Sequence, residues 1–364
     1  MKKTFLLFWG MFCISIISGA CSKEDAFNDN NFLVDTLVIA DTTININKDT
    51  IFINDTTFFE NDTIIITDTI INNDTIITQD TLFVNTKDKL SEVPLADPYI
   101  LYDGHFYYAY GTHTASSGFT TYKSANLYEW EYIGYVLHIS NTNANGNFWA
   151  PEIHIINGIY HLFYATDNNI YVATSSSPEG PFVQIGEKPI IKGIDPHFYT
   201  ENNKKYLFYV TTSGNNIIRM GELNEDLLSL KNGTIHTCLN PEGWEKKVVE
   251  GPFLIKHQNK YYLTYSGDNF KSKDYGIGVA TSDSVTGKWV KASYNPVLQK
   301  PQTWVGTGHH SIFIDKYGKN RIVFHAHNNE NDISPRRMYI GSYHIEENGI
   351  FVVEDDFIVP KLKH

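Results

Sequence analysis

The chain runs to 364 residues, of which 42% are apolar and 14% aromatic, enough for one large domain or two small ones. Its formal charge of −12, with no Lys/Arg-rich block, excludes a nucleic-acid partner, because neutralising phosphates takes a clustered basic surface. The 23 Tyr and 22 Phe point instead to β-structure and to surfaces that pack together or stack on sugars.

Residues 1–20, MKKTFLLFWGMFCISIISGA, place Lys2 and Lys3 ahead of an apolar run that is short for a membrane span and ends in small residues. This reads as a secretory signal, outside the fold. The following SGAC, ending at Cys21, resembles a bacterial lipobox and implies a lipidated Cys21 at the mature N-terminus; plain cleavage near Ala20 is the alternative. Lys23-Glu24-Asp25 resembles the export tag of Bacteroidetes surface lipoproteins. Together these imply an exported lipoprotein held to the outer membrane and exposed at the cell surface. Cys13 lies in the signal and Cys21 carries lipid, so Cys238 stands alone and no intrachain disulfide is available.

Residues 21–88 read as a stalk. Asp-Thr recurs at 35, 41, 49, 55, 62, 68, 74 and 80, every six to eight residues. That period suits a β-solenoid or β-stalk, and equally an extended spacer. Each pair precedes an aliphatic residue or Thr, which resembles the O-glycosylation sequon of Bacteroidetes exported proteins. The implied acceptors are Thr36, Thr42, Thr50, Thr56, Thr63, Thr69, Thr75 and Thr81. Glycans there would shield Ile-rich stretches that otherwise read as aggregation-prone strands.

Residues 89–364 show no long helical periodicity. Short aromatic and β-branched runs alternate with Gly, Asn, Asp and Pro turns, and they fall into five units. The second strands are GHFYYAYGT, GIYHLFYAT, KKYLFYVT, KYYLTYSG and NRIVFHAH. A third strand follows each, and several units close with a fourth, such as EWEYIGYVL. Four strands per unit at a period of roughly 40–60 residues predicts an all-β, five-bladed β-propeller. The first strands, LADPYILY, WAPEIHII, GIDPHFYT, VEGPFLIK and GHHSIFID, carry polar heads Asp97, Glu152, Asp195, Glu250 and His309 (or His310). Innermost strands line a propeller's channel, so four carboxyl groups and an imidazole are expected to converge in register. Like charges in a poorly solvated space resist simultaneous ionisation, leaving one group an acid and another a base. That division of labour suits glycosidic bond cleavage.

ADPYI, GFTTYKSANLYEWEYIG, FWAPEIH, SSSPEGPF, GIDPHFY, VEGPFL and GTGHHSIF together resemble glycoside hydrolase family 43, whose members are five-bladed propellers that invert anomeric configuration. The resemblance implies Asp97 as general base, Glu250 as general acid and Asp195 as the residue that orients the acid and raises its pKa. It also implies a calcium ion, or its waters, against His309, with no cofactor required for the chemistry. Substrate contacts are expected from Trp149, Glu152 and one of Arg336 and Arg337, strand register deciding which arginine faces the channel. Phe148 either stacks on a sugar or packs between blades. The His309, His310, His325 and His327 set lacks the spacing and the Cys of a zinc site. The expected activity is removal of terminal α-L-arabinofuranosyl or β-D-xylosyl units from plant polysaccharides by a monomer. A galactosyl-directed exo-glycosidase and a non-catalytic glycan-binding propeller are the alternatives.

Overall fold

The computed structural model describes residues 91–363 and, ahead of them, five strands between residues 35 and 85. The signal segment and Cys21 lie outside the described residues. The N-terminal unit is an antiparallel meander of Asp35–Ile39, Thr42–Asn47, Thr50–Phe59, Thr63–Asn72 and Thr75–Asn85, each strand paired with the next. Four of the five strands begin on the Thr of an Asp-Thr pair, while the pairs at 55, 68 and 80 fall inside strands.

The second unit, residues 90–364, contains five sheets in chain order. Their innermost strands are Ala96–Tyr102, Phe148–Ile156, Ile194–Glu201, Val249–His257 and Gly308–Ile314. Each pairs with the next strand in sequence, as adjacent antiparallel strands joined by tight turns do. Five buried clusters, one between each neighbouring pair of blades, form the core. Tyr110, Phe119 and Phe148 belong to the cluster between the first two blades, and Phe313, Val323 and Ile100 to the one joining the last blade to the first. Both faces of a blade are thus covered, which is why strands such as KKYLFYVT read as apolar runs and not as alternation.

The two ends of this unit meet at the first blade. Lys361–Leu362 runs parallel to Glu129 and Trp130 at the outer edge of the first blade, and Ser91–Glu92 pairs with it in turn. Strands of two residues are too short to carry a pattern, and sequence reading passes over both.

Every innermost strand breaks its ladder at the same place. The shifts fall between Ala96 and Tyr99, Trp149 and Glu152, Ile194 and His197, Glu250 and Phe253, and Gly308 and Ser311. Within each break one residue takes a left-handed backbone: Asp97 (φ 50°), Ala150 (43°), Asp195 (52°), Gly251 (55°) and His309 (46°). For four residues with a Cβ this costs about 1–2 kcal/mol each, a strain that concentrates at functional sites. Proline follows four of the five, at a bulge where its missing N–H breaks no ladder bond. The five polar heads are therefore not in register. The equivalent positions are Asp97, Ala150, Asp195, Gly251 and His309; Glu250 precedes its bulge and Glu152 follows its own.

Candidate active site

A cavity of about 340 Å³ opens at the axis, lined by Asp97, Trp149, Asp195, Asn216, Glu250, Phe270, His309 and Arg336, among others. Its three carboxyl groups come from the first, third and fourth blades and are 7, 5 and 8% exposed for Asp97, Asp195 and Glu250. The bulges explain how they arrive. A left-handed residue turns its side chain out of the strand's alternation, so Asp97 and Asp195 project into the channel where a regular strand would bury one face and hide the other.

Asp97 is held by cations and donors. Arg336 grips both oxygens, Nη1 to Oδ1 at 2.7 Å and Nη2 to Oδ2 at 3.4 Å, and His309 Nδ1 lies 3.3 Å from Oδ1. The Asp97 amide donates to His325 Nδ1 at 3.1 Å, which fixes that ring as an acceptor there and hence neutral. Burial pushes the Asp97 carboxyl up, but the Arg336 guanidinium, with His309 beside it, outweighs burial and holds the group well below the usual carboxylate range. His325 is driven well below its ordinary value by burial first and Arg336 second.

Glu250 sits among neutral partners. Tyr275 Oη donates to Oε1 and Asn216 Nδ2 to Oε2, both at 2.9 Å. Burial dominates and raises its pKa to about 7; the two donors pull it down and the Asp97 charge adds to the rise. Asp195 Oδ2 accepts from the Gly251 amide at 3.0 Å, and its carboxyl is raised by burial, then by Glu250 and Asp97. At neutral pH the cavity thus holds one ionised carboxylate beside carboxyls kept wholly or partly protonated, which is the arrangement for concerted acid and base work.

Other sequence-predicted residues separate. Trp149 is half-buried and lines the cavity, while Phe148 is buried against Phe119 and Tyr164. Arg336 faces the carboxylates. Arg337, the first residue of the strand Arg337–Ile345, instead donates to Asn328 Oδ1 at 3.0 Å and the Glu92 carbonyl at 2.9 Å. Glu152 is not among the residues lining the cavity. It borders a smaller recess of about 30 Å³, which shares Asp97, Asp195 and His309 with the cavity, and is bonded to His154 and, at 2.9 Å, to His197 Nδ1. Because His197 Nε2 accepts from the Leu254 amide at 2.9 Å, the proton sits on Nδ1, aimed at Glu152. Glu152 therefore ties the second blade to the third and fourth, and the expected sugar contact is replaced by a structural one. His310 bonds Thr264 at 2.6 Å and His327 the Phe270 carbonyl at 2.8 Å, while His309 and His325 both serve Asp97, so the four histidines do not converge on one point. Asn216, Tyr275 and Phe270 escaped sequence reasoning, being uncharged residues outside any repeat.

The model of the Glycosyl hydrolases family 43 matches residues 90–351. A solved structure, an endo-1,4-β-xylanase from Bacteroides thetaiotaomicron, superposes with a TM-score of 0.72 at 38% identity, covering 75% of this chain and 98% of that one. Among characterised relatives, the β-D-galactofuranosidase xynD of Aspergillus niger is 26% identical over 257 residues, 63% of this chain and 73% of its own. An extracellular exo-α-(1→5)-L-arabinofuranosidase of Streptomyces avermitilis is 26% identical over 219 residues, 52% of this chain and 44% of its own. With that match spanning every blade and a buried carboxyl cluster at the axis, the chain belongs to glycosyl hydrolases family 43 and is a glycoside hydrolase.

Proposed function

We propose that the protein is an inverting, exo-acting glycosidase that removes terminal α-L-arabinofuranosyl or β-D-xylosyl units from plant polysaccharides. The observation that carries this reading is the opposite protonation of two carboxyls in one cavity: Asp97 ionised against Arg336, Glu250 raised to about 7. In the reaction Asp97 takes a proton from water as the water's oxygen attacks the anomeric carbon. Glu250 gives its proton to the glycosidic oxygen as that bond breaks, and the two carboxyls exchange protonation states over the cycle. Asp195, whose own carboxyl is raised by burial and then by the Glu250 charge, is assigned the role of orienting the acid. The cavity is at the small end of ligand sites, which run roughly 300–1,000 Å³, and suits a chain terminus better than a long threaded polymer.

The similarity to a galactofuranosidase favours a second reading, a furanosyl hexose in the same pocket. The retained Asp97, Asp195 and Glu250 argue against a pure binding propeller, which needs no acid and base. No cofactor enters the chemistry. A calcium ion near His309 would be held largely through its own waters, because calcium takes six to eight oxygen ligands and Asp97 is committed to Arg336 and Glu152 to two imidazoles. Among the described residues no three His, Cys, Asp or Glu side chains converge as ligands. Lipidation at Cys21, the Asp-Thr stalk and monomeric action at the cell surface complete the proposal.

Hydrolysis of nitrophenyl α-L-arabinofuranoside, β-D-xyloside and β-D-galactofuranoside, with Asp97→Asn in parallel, tests it. Release from one pentoside that Asp97→Asn abolishes is expected. Release from the galactofuranoside alone would install the second reading, and a fully active Asp97→Asn would remove the assigned base.

A further inference from the structure

The loop from Asp268 to Tyr275, between the second and third strands of the fourth blade, reaches both sides of the chemistry. At its end Tyr275 holds Glu250 by the 2.9 Å hydrogen bond and lays its ring on His325, centroids 5.7 Å apart at 18°. Near its start the Phe270 ring lies 4.9 Å from the Arg336 guanidinium carbon, and Arg336 is the residue that grips Asp97. A guanidinium over an aromatic face is attracted by the ring quadrupole, most strongly where water is excluded, and the Arg336 side chain is only 14% exposed.

The position of Phe270 is itself built from the last blade. His327 Nε2 donates to the Phe270 carbonyl at 2.8 Å; a carbonyl only accepts, so that nitrogen carries the proton. His327 is 4% exposed, and its place depends on Gly306, at φ 63°, where a Cβ would stand 2.1 Å from Nε2. The Gly306 amide in turn donates to the Lys273 carbonyl of the same loop at 3.1 Å. The second histidine of FHAH thus holds this loop through the Phe270 carbonyl.

From this geometry we infer that Phe270 is a positioning residue for the reaction, clamping Arg336 against Asp97 so that the base stays ionised and aimed. This rests on the reading of Asp97 as the base. Groups facing Asp97 are Arg336, His309 and His325 from the last blade, Thr112 from its own, and Asp195, Glu250 and Tyr275 across the cavity. Of these Arg336 is the cation, and among the described contacts Phe270 supplies its aromatic face.

The test is a double-mutant cycle in the full chain, on whichever glycoside the wild type cleaves. Phe270→Leu should lower kcat by roughly tenfold with KM within about twofold, whereas Phe270→Tyr and Phe270→Trp, which keep the aromatic face, should stay within about twofold of wild type. In the Arg336→Met background Phe270→Leu should cost no more than about twofold, because the partner is already gone. Full additivity, a loss confined to KM, or failure of the Tyr and Trp variants would overturn the inference. If Phe270→Leu fails to fold, Phe270→Met takes its place. A crystal structure of the Leu variant decides the clamp without any substrate: Arg336 is expected to leave Asp97, and an undisturbed pair would sink the idea. A wild type inert on every glycoside would count against the proposed reaction alone, and that structure would still decide the clamp.

Discussion

Removing one hydroxyl tests the acid assignment with little disturbance of packing. Tyr275→Phe keeps the ring that stacks on His325 and deletes only the donor to Glu250 Oε1. That donor favours the ionised carboxyl, so it opposes the burial that lifts Glu250 to about 7. A hydrogen bond to a charged acceptor contributes about 1.5–3 kcal/mol, and about 1.36 kcal/mol equals one pKa unit. The lower bound applies, because Asn216 still serves Oε2 at 2.9 Å. Glu250 should then rise further, by roughly one unit. A general acid works in its protonated form, so activity falls as pH climbs through its pKa. The alkaline limb of kcat/KM should therefore move to higher pH by the same roughly one unit. The assay is kcat/KM against pH on an unactivated oligosaccharide, where proton donation limits the rate. An alkaline limb that stays put or retreats to lower pH would show that Glu250 is not the group titrating there.

Glu250→Gln should slow hydrolysis of natural linkages by roughly 10²–10⁴-fold and of nitrophenyl glycosides far less; equal losses on both would point away from proton donation. Glu152→Ala leaves the buried His197 Nδ1–H without its acceptor and should cost about 2 kcal/mol, read as a Tm lower by several degrees with KM unchanged. A raised KM at unchanged Tm would return Glu152 to the substrate site. Cys21→Ala should shift the protein from the membrane fraction to the soluble one, and retention in the membrane would dismiss the lipid anchor.

The blades were legible because their signals are local. Strand, turn and strand recur within a few residues, and runs such as GIYHLFYAT and KYYLTYSG differ little in pattern from the strands Ile159–Thr166 and Lys260–Gly267 that they form. The outermost strands His236–Leu239 and Phe351–Val353 were not legible, being short and half-exposed. Neither were Tyr275, Asn216 and Phe270. An uncharged side chain on a loop carries no periodic signal, and its importance comes from what the ring of blades sets opposite it.

Sequence alone determined the five-fold repeat, the Asp-Pro heads and the kinship that follows from both. Only the tertiary structure decided which carboxyl faces which compartment. Glu250 and Glu152 stand at similar points of similar strands, yet one lies a residue before its bulge and the other two residues after Ala150. Side chains alternate with a period of two, and a bulge inserts a single residue into that count. Where each bulge falls depends on the ladder formed with the neighbouring strand. That pairing sends Glu250 into the axial cavity and Glu152 to His154 of its own strand and His197 of the next blade.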